Sequence, residues 1–315
     1  MNVLVTGAAG FIGSHTVDQL LADGHTVIGV DNLRTGHLEN LRQAQQSSQF
    51  RFCQTDVLAG KQIERIIGDP ACDVVIHLAA MVGVQESIAN PALCDAINVR
   101  GTQIVVETAR RQNVPRVVFA SSAAIYGDPI SQPVSETAPL SPLNPYGASK
   151  LAAEDLLFNG SRDRGPTIVC LRYFNVYGPR QDATSPYSGV ISVFHRQLAT
   201  GETTTIYGDG EQTRDFVFAD DVARANIIAA TRRDLQSVVL NICTGRATSL
   251  NKLFAALHTH YPDAPTPAYA PARRGDIRHS RGDPALAQNT LDFSAVMSLE
   301  EGLASFLANQ PTSKA

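Results

Sequence analysis

Met1-Asn2-Val3-Leu4-Val5 runs directly into Thr6-Gly7-Ala8-Ala9-Gly10-Phe11-Ile12-Gly13. A short apolar strand meets a glycine turn, and Val17, Leu20 and Leu21 then recur at helical spacing. Glycines at such a junction allow a tight turn and let a pyrophosphate approach the helix N-terminus, where unpaired N–H groups point outward. The GxxGxxG spacing is a variant of the dinucleotide fingerprint, and alone it also fits a plain strand–helix turn. The next apolar run, residues 26–30, ends in Asp31, about 20 residues on. A carboxylate there would bond a ribose 2′-hydroxyl and repel a 2′-phosphate, so NAD is expected over NADP. Asp31 and Asn32 are also ordinary turn residues. Asp56 fits a helix cap and the adenine edge equally well. In His77-Leu78-Ala79-Ala80 the small residues would let the chain lie against a cofactor, and His77 reads as a packing residue.

Outward from this loop, apolar runs at 3–5, 26–30, 51–53, 74–77, 117–120 and 168–171 alternate with helical stretches. One of these, with Leu93, Ile97, Ile104 and Val105 as its stripe, starts at Pro91. Strands that are apolar throughout, separated by helices, predict a parallel sheet covered on both faces, a doubly wound α/β fold. The second half is less regular. Helices are expected over 189–198, 221–230 and 249–258, short strands over 203–206, 216–218 and 238–242, and a capping box at Ser298-Leu299-Glu300-Glu301. The expected division is a nucleotide-binding domain over 1–175 and a smaller mixed α/β substrate domain over 176–315, with some later segments returning to the first sheet.

Beyond the fifth strand lie Ser121 and Ser122, then Asn144-Pro145 as a helix start, then Tyr146-Gly147-Ala148-Ser149-Lys150. Residues four apart are neighbours on a helix, so an ammonium at 150 can favour the phenolate of a tyrosine whose unperturbed pKa is about 10. A serine within reach can bond the same substrate oxygen. Ligands of doubly wound sheets bind beyond the carboxyl ends of the strands, which puts Ser122, this helix start and the Gly7 loop on one edge. The parts suit removal of a proton from an alcohol while a hydride leaves its carbon.

The gross numbers exclude other classes. A chain of 315 residues with net charge −4 gives no support to nucleic-acid binding, and it has no apolar run of about 18 residues for a membrane span. The N-terminus lacks the basic region of a signal peptide. Five scattered cysteines without CxxC spacing argue against a metal or redox motif and read as buried thiols in a reducing cytoplasm. No metal is expected.

The chain resembles the extended short-chain dehydrogenase/reductases, in their nucleotide-sugar epimerase and dehydratase branch. The stretches TGAAGFIG, DNLRTG, HLAA, NVRGT, SSAAIYG, YGASK, LRYFNVYGPRQ, IYGDGEQTRDFV and RRGDIRHS carry the likeness across nearly the whole sequence. The resemblance implies Ser122, Tyr146 and Lys150 as catalytic residues, Lys150 also holding the nicotinamide ribose. It implies NAD contacts from Gly7, Gly10, Phe11, Ile12, Gly13, Asp31, Asn32, Asp56, Val57, Leu78, Ala79, Ala80, Asn98, Tyr146, Lys150 and Tyr173. Two separated arginines can clamp a diphosphate. The resemblance puts Asn175, Arg214 and Arg273 near a substrate pyrophosphate, and Val190, Tyr207 and Asp276 near the nucleoside; Tyr207 fits the core equally well.

Dehydratases and decarboxylases of this branch have an acidic residue beside the catalytic hydroxyl, whereas this chain has Ala123-Ala124. Alanine does no acid–base work, so the chain is most similar to UDP-sugar 4-epimerases. Their reaction passes through a 4-keto sugar, with Tyr146 expected to take the 4-hydroxyl proton and Ser122 to bridge. Ser280, small at the position that gates N-acetyl sugars in the family, implies entry of UDP-GlcNAc and UDP-GalNAc beside UDP-glucose and UDP-galactose. Met81-Val82-Gly83-Val84 lacks the lysine that some UDP-galactose epimerases carry, and UDP-glucuronate stays open as a substrate. A net nucleotide-sugar reductase and a non-catalytic NAD-binding scaffold are the competing classes. The resemblance implies that helices over 91–112 and 147–159 pair in a homodimer, and two-fold dimers are also the commonest oligomer.

Overall fold

The computed structural model describes residues 1–160, 165–181, 189–272 and 277–309. The first half is built from β1 (Asn2–Thr6), α1 (Phe11–Ala22), β2 (Thr26–Asp31), β3 (Phe50–Gln54), α2 (Gly60–Gly68) and β4 (Val74–His77). There follow α3 (Val84–Ala89), α4 (Pro91–Asp95), a π turn over Ala96–Arg100, α5 (Gly101–Arg111), β5 (Arg116–Ser122), α6 (Pro145–Gly160) and β6 (Thr167–Tyr173). The second half holds β7 (Asn175–Tyr177), α7 (Val190–Ala199), β8 (Thr205–Tyr207), β9 (Thr213–Arg214), β10 (Phe216–Phe218), α8 (Ala219–Thr231) and β11 (Val238–Ile242). It ends with β12 (Thr248–Ser249), α9 (Leu250–His258), β13 (Ala268–Ala270), α10 (Ala285–Leu291) and α11 (Leu299–Ala308).

Seven strands form one parallel sheet in the order β11-β6-β5-β4-β1-β2-β3. The order reverses between β1 and β4, which opens a crevice for a ligand at their carboxyl ends. Apolar clusters cover both faces, one around Val3, Val5, Val118 and Leu171, the other around Leu4, Val75, Phe119 and Cys170. Alternate residues of each strand thus enter opposite cores. The chain after residue 175 does return to this sheet: β11 pairs with β6, and α8 packs on α1. The smaller lobe gathers Tyr177, Phe194, Phe216, Phe218, Phe254 and Phe306 around three two-stranded pieces. Its last helix begins with the expected capping box, in which Ser298 and Glu301 bond each other's backbone N–H.

The helix expected over 91–112 is interrupted. The π turn at Ala96–Arg100 inserts an offset between α4 and α5, which leaves Leu93 exposed while Val105 is buried. The same offset turns Asn98 inward. Its side chain accepts a bond from Met81 N (2.8 Å) and donates to Met81 O (3.0 Å) and Ser149 Oγ (2.9 Å). Among the described residues no helix is long and apolar enough to cross a membrane.

Beneath α6 lies a buried ion pair. Glu154 accepts from Arg172 of β6 at 2.7 Å (Nη2–Oε2) and 3.0 Å (Nε–Oε1), and also from the Ser121 hydroxyl. Arg172 Nη1 continues to Tyr126 Oη at 2.9 Å, and Tyr126 donates to Asn241 Oδ1 at 2.7 Å. A planar fork met by a carboxylate on two edges is the geometry in which a buried pair repays its desolvation. Substituting Glu154→Ala leaves the Arg172 guanidinium buried without its counter-charge. The expected cost is about 3–5 kcal/mol of folding stability, measured by urea unfolding against the parent; a loss within 1 kcal/mol, about the range of an exposed pair, would contradict it.

Candidate active site

A cavity of about 640 Å³ runs along the carboxyl ends of the central strands. Gly7, Gly10, Phe11, Ile12 and Gly13 form its wall beyond β1, and Asp31 and Asn32 beyond β2. Asp56 and Val57 follow beyond β3, Leu78, Ala79 and Ala80 beyond β4, Ser122 beyond β5, and Tyr173 and Asn175 at β6 and β7. Tyr146 and Lys150 enter it from α6. Of the cofactor residues named from sequence, Asn98 alone does not line this cavity. Its amide is fixed to the Met81 main chain behind the wall, and Ile97 takes the lining position.

The first turn is close-packed because two glycines make it so. Gly7 has φ +70°, and a Cβ on Gly13 would lie 1.9 Å from Gly7 O. Gly10 opens α1 without a side-chain cap, so the first N–H groups of the helix face the cleft. The Asp31 carboxylate accepts from Ala9 N (3.0 Å) and Leu33 N (2.8 Å). Burial pushes its pKa up, and these backbone bonds oppose the rise. Asp56 is not a helix cap: it accepts from Leu58 N at 2.8 Å in a local turn, and from Asn32 Nδ2 at 2.7 Å, ahead of the start of α2.

His77 is a packing residue. Leu78 N and Ala79 N both donate to Thr6 Oγ1, leaving the Thr6 hydroxyl proton for His77 Nδ1 at 2.6 Å. Thr102 Oγ1 donates to Asn98 O, so His77 Nε2–H must donate to Thr102 Oγ1 at 3.0 Å. Only the neutral Nε2–H tautomer completes this chain. Burial lowers the imidazole pKa to about 3, which agrees with that assignment.

At the other end of the cleft, Asn144 Oδ1 accepts Gly147 N (2.9 Å) and Ser87 Oγ accepts Tyr146 N (3.2 Å), so α6 begins capped from two sides. Gly147 lets this helix approach the turn after Ser122, where a Cβ would come within 2.7 Å of Ala124 O. Ser122 Oγ accepts Ala124 N at 3.1 Å, and Ser122 and Tyr146 face the same end of the cavity. Lys150 lies one turn further along α6. Its Nζ donates to Ala120 O at 2.8 Å and stands 4.9 Å over the Phe119 ring. Burial drives the Tyr146 pKa up, and the group working against that rise is Ser122. Burial also lowers Lys150 to about 8.

The residues expected on the substrate side divide. Ser122 and Asn175 share the cavity. Asn175 N donates to Asp215 O at 3.0 Å, which ties the cleft to the strand carrying Arg214. Val190 starts α7 next to the lining residue Gly189 and packs on the smaller lobe's core. Tyr207, Arg214 and Ser280 lie outside the cavity's described lining, where Arg214 and Ser280 share a partner. Arg214 Nη1 donates to Thr213 O, and Ser280 N donates to the same carbonyl at 3.1 Å. Arg273 and Asp276 lie outside the described residues. Asp215, not singled out from sequence, is buried; it accepts from Thr244 N (2.8 Å), Thr244 Oγ1 (2.6 Å) and Gly245 N (2.9 Å). Sequence reading also missed Glu86, Phe174 and Gln181 in the cleft wall. Glu86 has no local signal, because its partner is 52 positions away.

The cavity, the bare glycine turn and the carboxylate ending β2 fit an extended dinucleotide, and the volume lies in the range of cofactor sites. With the Ser122–Tyr146 pair at its far end, the site is that of a doubly wound oxidoreductase-like enzyme. The NAD dependent epimerase/dehydratase family model matches residues 3–243. A UDP-glucose 4-epimerase of Mycolicibacterium smegmatis is 39% identical over 307 residues, 96% of each chain. The crystal structure of a UDP-glucose 4-epimerase from Thermotoga maritima with UDP-glucose superposes with a TM-score of 0.92 at 39% identity, covering 98% of both chains. A UDP-N-acetylglucosamine 4-epimerase from Methanobrevibacter ruminantium in complex with UDP-N-acetylmuramic acid gives 0.91 at 35% identity, covering 98% and 99%. The chain belongs to the NAD dependent epimerase/dehydratase family.

Lys150 supplies a test of the site's electrostatics. It titrates near 8 in the fold against an ordinary 10.5, so between those values the unfolded chain binds the extra proton. Stability therefore gains a rising contribution as pH climbs through that window. In cofactor-free Lys150→Met this contribution should vanish, so the stability difference between parent and variant should shift in favour of the parent from about pH 8 to about pH 9.5. Thermal unfolding of both proteins across the window checks it, and a constant difference would refute it.

Proposed function

We propose that this chain is a UDP-sugar 4-epimerase, inverting C4 of UDP-hexoses in both the glucose/galactose and the N-acetylglucosamine/N-acetylgalactosamine series. The observation that carries the reading is the convergence of Ser122, Tyr146 and Lys150 at the end of the dinucleotide cleft, with Ala123-Ala124 where an acid would serve elimination. The relatives described above support the same substrate class. NAD, when bound, accepts and returns the hydride at the sugar carbon. The chain's part is the proton. Tyr146 takes it from the 4-hydroxyl and later gives it back, with Ser122 bonding the same oxygen. Lys150, near-neutral in pKa and anchored on Ala120 O, supplies the positive charge that favours the phenolate when the cleft is filled.

Residues 1–175 serve mainly the cofactor and 176–315 mainly the sugar nucleotide, with β11 and α8 returning to the first sheet. Asn175, Arg214 and Arg273 act on the diphosphate; Val190, Tyr207 and Asp276 act on the nucleoside. The capture of the diphosphate lets the oxidised sugar present either face. The protein works as a homodimer in a reducing compartment; its five cysteines are all free thiols.

Tyr146→Phe should lower kcat with UDP-galactose by about 10²–10⁴-fold, the usual share of a general base. Near-parent turnover would sink the mechanism. A panel of UDP-sugars resolved by ion-exchange chromatography identifies the substrates, UDP-glucuronate among them. Ser280 is read as the gate for the N-acetyl group. Ser280→Tyr should therefore depress UDP-GalNAc turnover at least about tenfold, the effect of a clash worth about 1.4 kcal/mol, while UDP-galactose is still converted. Equal loss of both sugars would remove Ser280 from that role.

A further inference from the structure

Strand order puts β1 between β2 and β4, so a dinucleotide seated on the Gly7 loop lies between the chain segments that leave those two strands. Arg34 comes from the first of these segments and Glu86, in α3, from the second, and the two form an ion pair. Both residues line the cavity. The pair therefore spans the crevice from one rim to the other.

Each rim is braced by local hydrogen bonds. On one side Asp31 Oδ1 accepts Leu33 N, with Leu33 at φ +61°, and Asn32 Oδ1 accepts Arg34 N at 3.0 Å. On the other, Ser87, next to Glu86, donates to Val84 O at 2.6 Å and accepts Tyr146 N at 3.2 Å. Glu86 is thereby fixed to the start of the helix that carries Tyr146. Its side chain is 17% exposed and that of Arg34 is 35% exposed, so the pair is screened less than a surface contact.

We infer that Arg34 and Glu86 are a clasp that retains the dinucleotide in its cleft, slowing its release between turnovers. The inference rests on the cleft being the NAD site and is independent of which sugar is converted. A cofactor that must return what it has taken has to stay with its sugar, and a bridge tied to α6 supplies that retention. Truncating one partner of a shielded charge pair acts mainly on dissociation rates.

The test uses holoprotein loaded with the etheno-adenine analogue of NAD. The chain has no tryptophan, so the analogue's fluorescence is read without tryptophan emission. Release is followed on adding excess NAD to the parent, Glu86→Gln, Arg34→Gln and the double variant. Both single variants should release the analogue about tenfold faster, and the double no faster than the faster single, because one shared contact is lost once. Release at the parent rate from Glu86→Gln overturns the clasp. So does a double variant in which the two effects multiply, since that would mean independent contacts. UDP-sugar turnover by the parent is measured separately; its failure would count against the epimerase reading, while the dissociation rates would still decide the clasp.

Discussion

The Glu154–Arg172 ion pair is the constraint on which the site's geometry depends. Glu154 lies one helical turn beyond Lys150, on the same face of α6, and Arg172 lies in the strand next to the one that ends in Ser122. Holding these two side chains together fixes the rotation and the axial position of α6 against β5 and β6. The Ser121 hydroxyl, bonded to the same carboxylate, transmits that register to the residue before Ser122. The close approach at Gly147 then has one solution, and it brings the Tyr146 hydroxyl to Ser122. A buried pair is weak evidence for net stability but good at specifying one arrangement among several. Here the arrangement specified is the one that makes a proton-transfer pair.

Burial works against the charged forms of the groups the site depends on. It raises Tyr146 and Asp31 and lowers Lys150. The cleft walls therefore favour neutral groups, and a bound polar ligand changes that balance by adding partners where there are none in the walls. Asp31 shows how far the protein already goes in compensating: two backbone N–H groups turn toward its carboxylate, and the strained Leu33 is part of the cost. Lys150 is compensated by a strand-end carbonyl and a ring face, both weaker partners than a carboxylate.

Local chemistry was legible in the sequence, and long-range pairing was not. The six strands of the first half each fall within an observed strand, because a parallel sheet buried on both faces needs unbroken apolar runs. The Gly7 turn, Asp31, Ser122, Tyr146 and Lys150 could be placed on one edge because topology alone puts them there. The break in the 91–112 helix was invisible, since a π turn keeps helical composition and changes only the phase, as Leu93 and Asn98 record. Arg172 offered a signal that went unread: an arginine inside an apolar strand has to be paired. Arg34 and Glu86 offered none, since each reads as an ordinary surface charge until the β1–β2–β4 order brings them together. The smaller lobe was the least legible, because two- and three-residue strands carry too little periodicity to recognise.

The carboxylates of the cleft bear on what chemistry it can support. Removing water from a sugar, or carbon dioxide from a sugar acid, needs a second acid or base near the oxidised carbon. Among the described residues the cavity is lined by three carboxylates, Asp31, Asp56 and Glu86. Asp31 is held by Ala9 and Leu33, Asp56 by Asn32 and Leu58, and Glu86 by Arg34. The nearest acid to Lys150 along α6, Glu154, is buried against Arg172 and Ser121. Each of these groups already has its partners, and none is a neighbour in sequence of Ser122, where Ala123 and Ala124 supply only backbone. Among the described residues, what stands at the reacting end is one phenol and one hydroxyl, with Lys150 beside them. Such a pair can take a single proton and return it to the same oxygen, and it has nothing with which to expel a second group. The inversion of one carbinol centre is the reaction that asks for no more than that.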